Sequence, residues 1–167
     1  MKVICNTSPI IGLLSIKRLS LLWQLFDEII IPQAVYEELC VENENYREEI
    51  QEIESCIKQG KISVYQIENS QMVRAMYGKL HYGELEVIVG AKEQNISLAI
   101  IDEKAARKMA SEFLLDTIGI MGILLMAKKR GIIKEIRPDM ELLRKSGYRI
   151  SDGLFEVILR KAEEWEE

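Results

Sequence analysis

Short strand-like segments alternate with helical segments along the chain, and this alternation is the feature that most constrains the fold. The predicted strands cover residues 3–5, 28–31, 61–67, 97–101 and 115–118. Helical patterns cover residues 13–26, 32–40, 42–59, 83–94, 104–111, 122–130, 139–146 and 151–166. Strands that alternate with helices pair in parallel, with the helices on both faces of the sheet. The sequence therefore predicts an α/β fold, a three-layer α/β/α arrangement with a mostly parallel central sheet.

The composition is that of an ordinary globular chain. Of its 167 residues, 48% are apolar and 29% are charged, which argues against the disordered class. The length predicts one domain over residues 1–167. The longest apolar run, residues 118–127, is much shorter than the roughly 20 residues that span a bilayer, so we expect no membrane partner. The first residues lack an apolar run long enough for a signal peptide, which favours a cytoplasmic protein.

The histidine and cysteine content limits the kinds of metal site. The single histidine, His81, argues against a multi-histidine zinc site. Cys5, Cys40 and Cys56 are scattered without metal-binding spacing, which is typical of reduced thiols. Any metal would therefore need oxygen ligands, which favours Mg²⁺, Mn²⁺ or Ca²⁺. The net charge of −5 is a weak argument against general affinity for nucleic acid.

Polar residues follow two of the predicted strands directly. Asn6 follows the first strand and Asp102 follows the strand at 97–101. In parallel sheets, ligands bind outside the carboxyl ends of the strands, so these residues are expected at one edge. Simpler roles remain open, because Asp102 is also a plausible helix N-cap and Ser8 a plausible N-cap for a helix with Pro9 at its first position.

Five stretches of the chain resemble, in order and spacing, the PIN-domain family of metal-dependent ribonucleases. They are "CNTSPII", "IIIPQAVYEEL", "GELEVIV", "IDEKAARKMA" and the C-terminal half that begins at "TIGIMGILL". The resemblance is greatest to the PIN-like subgroup found as toxin components of prokaryotic toxin–antitoxin pairs. It covers nearly the whole chain, and it implies that the helices from about residue 134 to 167 are a family-specific extension.

The resemblance implies a metal site built from an acidic quartet. Carried over position by position, the quartet falls on Asn6, Glu38, Glu84 and Asp102, with Glu103 as a possible fifth ligand and Glu86 as a weaker one. The implied cofactor is Mg²⁺ or Mn²⁺, and the implied reaction is hydrolysis of an RNA phosphodiester. Such ions orient a water, lower its pKa and neutralise charge on the phosphoryl oxygens.

The family resemblance also implies partners. RNA would contact the residues nearest the quartet, which are Thr7, Ser8, Lys104, Arg107 and Lys108. Two further basic groups lie at residues 128–137 and 144–149, and solvated helix faces explain them equally well. A homodimer and a separate antitoxin chain are expected from the family alone.

Residue 6 departs from the family pattern, since the resemblance implies an aspartate there. An asparagine keeps one carbonyl oxygen but loses a negative charge and adds an NH₂ donor that repels a cation. Mg²⁺, which demands near-octahedral geometry, should suffer most. We expect weaker metal binding and lower activity on an unchanged fold. Three interpretations stay open: a weakened nuclease, a PIN scaffold that binds RNA or a partner without cleavage, and an engineered inactivation.

Other functional classes are disfavoured by the same residues. A phosphoacceptor signalling domain also collects acids at strand ends, but Asn6 and Thr7 supply no acid after the first strand. A dinucleotide-binding enzyme would carry a GxGxxG stretch after that strand, and none is present. Cys5 lies within a predicted strand, where a thiol is usually inert.

Overall fold

The computed structural model describes residues 1–42 and 47–166. Its strands form a five-stranded sheet of order β3-β2-β1-β4-β5, and every neighbouring pair is parallel. They are β1 (Lys2–Cys5), β2 (Glu28–Pro32), β3 (Ser63–Tyr65), β4 (Leu98–Ile100) and β5 (Asp116–Ile118). The predicted parallel sheet is confirmed.

The helices connect the strands as crossovers and then continue beyond the last strand. They are α1 (Thr7–Ser15), α2 (Leu21–Leu25), α3 (Gln33–Cys40), α4 (Arg47–Lys58), α5 (Ser70–Met76), α6 (Tyr82–Glu93), α7 (Lys104–Glu112), α8 (Ile120–Lys129), α9 (Arg137–Lys145) and α10 (Asp152–Lys161). From β1 the chain moves along the sheet in one direction to β3, and from β3 through β4 to β5 it moves in the other direction. Right-handed crossovers therefore place α1 to α4 on one face and α5 to α7 on the other, which gives the predicted three layers.

The core is centred on β1, the middle strand. Val3, Ile4 and Cys5 are fully buried there, because β1 has paired strands on both sides and helices on both faces. Helix α6 packs across β1, β2 and β4, and its Leu85 and Ile88 are fully buried. Burial on this scale is the main stabilising contribution to such a fold.

The element bounds differ from the predictions at several ends. Helix α5 was not predicted, because its seven residues bury one apolar side chain, Val73. The last helix ends at Lys161 rather than at residue 166. The helix predicted over residues 42–59 is observed as Arg47–Lys58, and residues 43–46 lie outside the described part of the chain.

The predicted caps at residues 8 and 102 were wrong. Asn6 is the N-cap of α1, so Ser8 and Pro9 lie within the first turn of the helix. Glu103 rather than Asp102 is the N-cap of α7. β1 ends one residue before Asn6 and α1 begins at the next residue, whereas β4 ends two residues before Asp102 and α7 begins two residues after it.

The last two helices pack back onto the layer that contains α1. Helix α9 contacts α1, and α10 contacts α8. Arg144 pairs with Asp152 at 3.1 Å and lies 4.1 Å from the ring centre of Phe155, which joins α9 to α10. Within residues 1–42 and 47–166, no helix has the length and apolar character needed to cross a membrane.

Candidate active site at the carboxyl ends of β1 and β4

The candidate site lies where the direction of the chain along the sheet reverses, between β1 and β4. The register pairs Cys5 with Ile100, and the Asn6 amide donates a 3.0 Å hydrogen bond to the Ile100 carbonyl. Asn6 and Asp102 therefore follow adjacent parallel strands at one edge of the sheet. Open α/β sheets bind their ligands at such a reversal.

Asn6 is held in place by its backbone rather than by its side chain. Only 3% of the residue is exposed. Although it is the N-cap of α1, its side chain makes no capping hydrogen bond. The side-chain amide is therefore not needed to cap the helix.

Glu38 reaches the site from α3, and two other residues determine where its carboxylate lies. Thr7 Oγ1 donates a 2.6 Å hydrogen bond to Glu38 Oε2. On the opposite side is Gly83, the second residue of α6, where an added Cβ would overlap Glu38 Oε1. The glycine thus allows a close approach that a larger residue would prevent.

Glu84 is the most buried acid of the group, with 5% of the residue exposed. Its Oε2 accepts a 3.1 Å hydrogen bond from the His81 amide at the start of α6. Burial, followed by the neighbouring Glu103, raises the pKa of Glu84 to about 7. Two acids so close favour a shared proton or a bound cation.

Asp102 caps a different helix from the one predicted. Its Oδ1 accepts a 2.9 Å hydrogen bond from the amide of Ile120, the first residue of α8. An added Cβ at Gly119 would overlap Oδ1, so this glycine also permits a close approach. Asp102 Oδ2 is buried and no described residue gives it a hydrogen bond of ordinary geometry. Burial raises the pKa of this carboxyl.

Tyr148 is a site residue that sequence reasoning missed. It follows α9 and approaches Asp102 closely enough that the two groups affect each other, although their geometry falls short of a hydrogen bond. Burial, followed by the Asp102 charge, raises the pKa of the Tyr148 phenol. Nothing in the local sequence, "KSGYRIS", marks this residue, since it is placed by the packing of α9 on α1.

The other two predicted acids have different positions. Glu103 is exposed beside Glu84 and Asp102. Glu86 Oε1 accepts a 3.0 Å hydrogen bond from the Ala34 amide and so stabilises the first turn of α3. The structure therefore gives Glu86 a helix-capping contact as its clearest role.

Among the predicted RNA contacts, Thr7 bonds Glu38 directly, and Arg107 is the basic residue whose charge acts on Asp102. Its Nη1 is 3.6 Å from the Cβ position of Gly119, and its charge lowers the pKa of Asp102 against the larger effect of burial. Lys104 and Lys108 are exposed on the same helix. Ser8 and Thr7 are half-buried in the first turn of α1.

Two clefts of similar size open on either side of the acids. The Asp102 cleft, of about 590 Å³, is lined by Ser8, Ile11, Gly12, Ser15, Asp102, Glu103, Ser146, Gly147, Tyr148 and Arg149. The Glu38 cleft, of about 580 Å³, is lined by Thr7, Ala34, Glu37, Glu38, Glu42, Tyr77, His81, Tyr82 and Glu86. The rings of Tyr77 and Tyr82 stack 4.6 Å apart at the edge of this second cleft. They too were missed, because Tyr77 follows α5 and Tyr82 begins α6, so their contact depends on how the two helices pack.

The donor atoms of the acids are of the type that hard divalent cations bind. All the candidate donors are oxygens, as Mg²⁺ and Mn²⁺ prefer, and a cation would satisfy the unpaired Asp102 Oδ2 and offset the raised pKa of Glu84. In the described part of the chain, however, no three acidic, histidine or cysteine side chains lie close enough together to hold one ion. Binding would therefore require these side chains to rotate toward a common centre.

The comparison with protein families gives one result for the whole chain. A family model described as a PIN domain matches residues 2–164. Searches of curated proteins and of solved structures gave no match.

Proposed function

This chain belongs to the PIN-domain family, and from that premise we propose that it is a metal-dependent ribonuclease, weakened by Asn6 in place of an acid. The observation that supports the proposal is that Asn6 and Asp102 follow adjacent strands at the reversal point of the sheet, while the charges of Glu38 and Glu103 act on the buried Glu84. One buried oxygen there, Asp102 Oδ2, receives no hydrogen bond of ordinary geometry from residues 1–42 and 47–166. Buried oxygens are normally hydrogen-bonded, because an unsatisfied one destabilises the fold. This exception therefore favours a ligand at the site.

Each side chain would have its own role in such a site. Asp102, Glu38 and Glu84 would hold Mg²⁺ or Mn²⁺, with Glu103 as a further oxygen ligand and Asn6 as a neutral one. When bound, such an ion supplies activation of water and neutralisation of phosphoryl charge. Thr7 orients Glu38 through its hydrogen bond, and Arg107 adds a positive charge beside Asp102.

RNA cleavage in the presence of Mn²⁺ tests this proposal. The wild-type chain is compared with Asn6→Asp, and each is also assayed in EDTA. We expect weak Mn²⁺-dependent cleavage by the wild type and stronger cleavage by Asn6→Asp. Loss of cleavage in Asn6→Asp when Asp102→Asn is added would assign the activity to this site. If Asn6→Asp cleaves no RNA with Mn²⁺, the nuclease proposal is wrong.

A second candidate function is that of an inactive PIN module that binds RNA or a protein. The observation in its favour is Asn6 itself, which removes a charge from the most buried position of the site. This candidate predicts RNA binding with no cleavage by the wild type at any Mn²⁺ concentration. Cleavage by the wild type that disappears in EDTA would exclude it.

The biological context is proposed from the resemblance to toxin components. We propose that the protein works in the cytoplasm as the toxin of a toxin–antitoxin pair, as a homodimer, with a separate antitoxin chain. Exposed apolar side chains on α9 and α10, Leu142, Leu154 and Val157, support self-association. Analytical ultracentrifugation tests the dimer by comparing the mass of the wild type with that of Val157→Glu. We expect a dimer for the wild type and a monomer for Val157→Glu, and a monomeric wild type would contradict the proposal.

A further inference from the structure

The two clefts beside the acids differ in charge. The Glu38 cleft is lined by four glutamates, and no lysine or arginine is among its described lining residues. The Asp102 cleft is lined by the hydroxyls of three serines and by one arginine, Arg149, beside Asp102 and Glu103. A polyanion that reaches the acids would therefore meet less repulsion on the Asp102 side.

The turn after α9 brings these groups to the Asp102 cleft. The Tyr148 amide donates a 2.9 Å hydrogen bond to the Leu143 carbonyl, and the Gly147 amide donates one of 3.1 Å to the Arg144 carbonyl. Gly147 has a φ of +93°, a conformation that glycine adopts at little cost. This turn ends the helix and places Ser146 and Arg149 at the cleft.

Arg149 differs from the other arginines of the C-terminal region in having no partner among the described residues. Arg144 is committed to Asp152 and to the Phe155 ring. The Arg137 backbone amide donates a hydrogen bond to Glu164 Oε1, and Arg137 Nη2 donates one to the Glu164 carbonyl. Arg149 is exposed and makes no hydrogen bond or ion pair with another described residue, so its guanidinium is available to a ligand.

We propose that the Asp102 cleft holds the RNA backbone next to the scissile phosphate, with Arg149 binding a phosphate and Ser8 donating a hydrogen bond. The hydroxyls of Ser15 and Ser146 already donate to the carbonyls of Gly12 and Leu142, so these two serines only line the cleft. This inference rests on the proposed function, because it names the path of the substrate into the same site. Arginine and hydroxyl side chains are the common donors to phosphate oxygens. The Glu38 cleft would be left free of the phosphate backbone.

Binding of a fluorescein-labelled single-stranded RNA of mixed sequence tests the path. Anisotropy is measured over a series of NaCl concentrations with Ca²⁺ in place of Mn²⁺, so that binding is observed without turnover. The variants are Arg149→Gln and the matched control Arg74→Gln, which makes the same charge change in a different cleft lined by Glu68 and Glu93. Glu37→Gln probes the Glu38 cleft.

We expect Arg149→Gln to weaken binding about three- to tenfold at low salt and to lower the salt slope by about 0.7, the value for one phosphate contact to a single strand. Arg74→Gln and Glu37→Gln should bind like the wild type. The Mn²⁺ affinity of Arg149→Gln should be unchanged, which separates a phosphate contact from a role in the metal site.

Two results would overturn the inference while leaving the ribonuclease proposal standing. One is that the wild type binds RNA and that Arg149→Gln and Arg74→Gln lower its RNA affinity equally, or that neither lowers it. The other is tighter binding by Glu37→Gln with no effect of Arg149→Gln, which would place the backbone in the Glu38 cleft. Failure of the wild type to bind RNA, together with no cleavage by Asn6→Asp, would instead overturn the proposed function and the inference with it.

Discussion

Gly83 and Glu38 are in direct contact across the α3–α6 interface, so that the carboxylate fills the space a side chain at residue 83 would occupy. Thr7 holds the other oxygen of the same carboxylate. The position of this acid thus depends on the absence of a Cβ on one helix and on a hydroxyl on another.

Gly83→Ala should displace Glu38 without unfolding the protein. The overlapped atom is the end of a flexible side chain, and alanine favours a helix over glycine by about 0.5–1 kcal/mol, so the melting temperature should stay level or rise. The Mn²⁺ affinity, measured by calorimetric titration, should fall about tenfold or more.

Gly153→Ala is the matched control for that variant. Gly153 is also the second residue of its helix, and no atom of another described residue lies within 4 Å of its Cβ position. It should gain the same helix stability and keep the wild-type Mn²⁺ affinity. Equal Mn²⁺ affinity in the two variants would remove Glu38 from the metal site.

Asn6→Asp should make the metal-free protein less stable and the metal-bound protein more active. A carboxylate at this 3% exposed position would add a charge to a buried group of acids, at a cost on the order of 2 kcal/mol. The shift in melting temperature on addition of Mn²⁺ should therefore be larger than in the wild type.

Asn69→Asp controls for the chemical change itself. Asn69 is also a helix N-cap, for α5, but it is exposed and its side chain accepts a hydrogen bond from the Met72 amide. Its replacement should leave both stability and the Mn²⁺ response near wild type. A metal response of Asn6→Asp no larger than that of Asn69→Asp would contradict a ligand role for residue 6.

Asp102→Asn should lower Mn²⁺ affinity with a small change in stability. The amide oxygen can still accept the hydrogen bond from the Ile120 amide, so the start of α8 remains capped, while one ligand charge is lost. Asp116→Asn, at the exposed start of β5, is the control. Calorimetric titrations that coincide for Asp102→Asn and the wild type would exclude Asp102 from the site.

The fold was predictable because its signals are local. Apolar runs such as that of Val3 to Cys5 are short, and recognisable residues such as Pro32, the N-cap of α3, precede the helices between them. The alternation of strands and helices can therefore be recognised from the sequence alone. Helix α5 was not predicted, because a short helix with one buried residue has almost no periodic pattern of apolar residues.

The site was predictable only where it depends on the sheet. Asn6 and Asp102 lie at one edge of the sheet because each follows a strand, and adjacent parallel strands end at the same edge. Tyr148, Gly83 and Gly119 could not be predicted in the same way, since their contacts with the acids arise from the packing of distant helices. A glycine that permits a close approach looks in the sequence like any other glycine in a first turn.

The pH dependence of stability in the metal-free protein should report the buried acid Glu84. Its pKa is raised from 4.5 to about 7 by burial and then by Glu103, so the folded state binds its proton more tightly than the unfolded state does. The stability that this group contributes is present below about pH 4.5 and is lost as the pH rises to about 7, by at most about 3 kcal/mol.

The measurement is the free energy of unfolding from chemical denaturation over that pH range. Glu84→Gln should flatten its pH dependence, whereas the exposed control Glu112→Gln should keep the wild-type slope. Saturating Mn²⁺ should also flatten the wild-type slope, because cation and proton compete for the same carboxylate. A slope that Glu84→Gln leaves unchanged would assign the pH dependence to other groups.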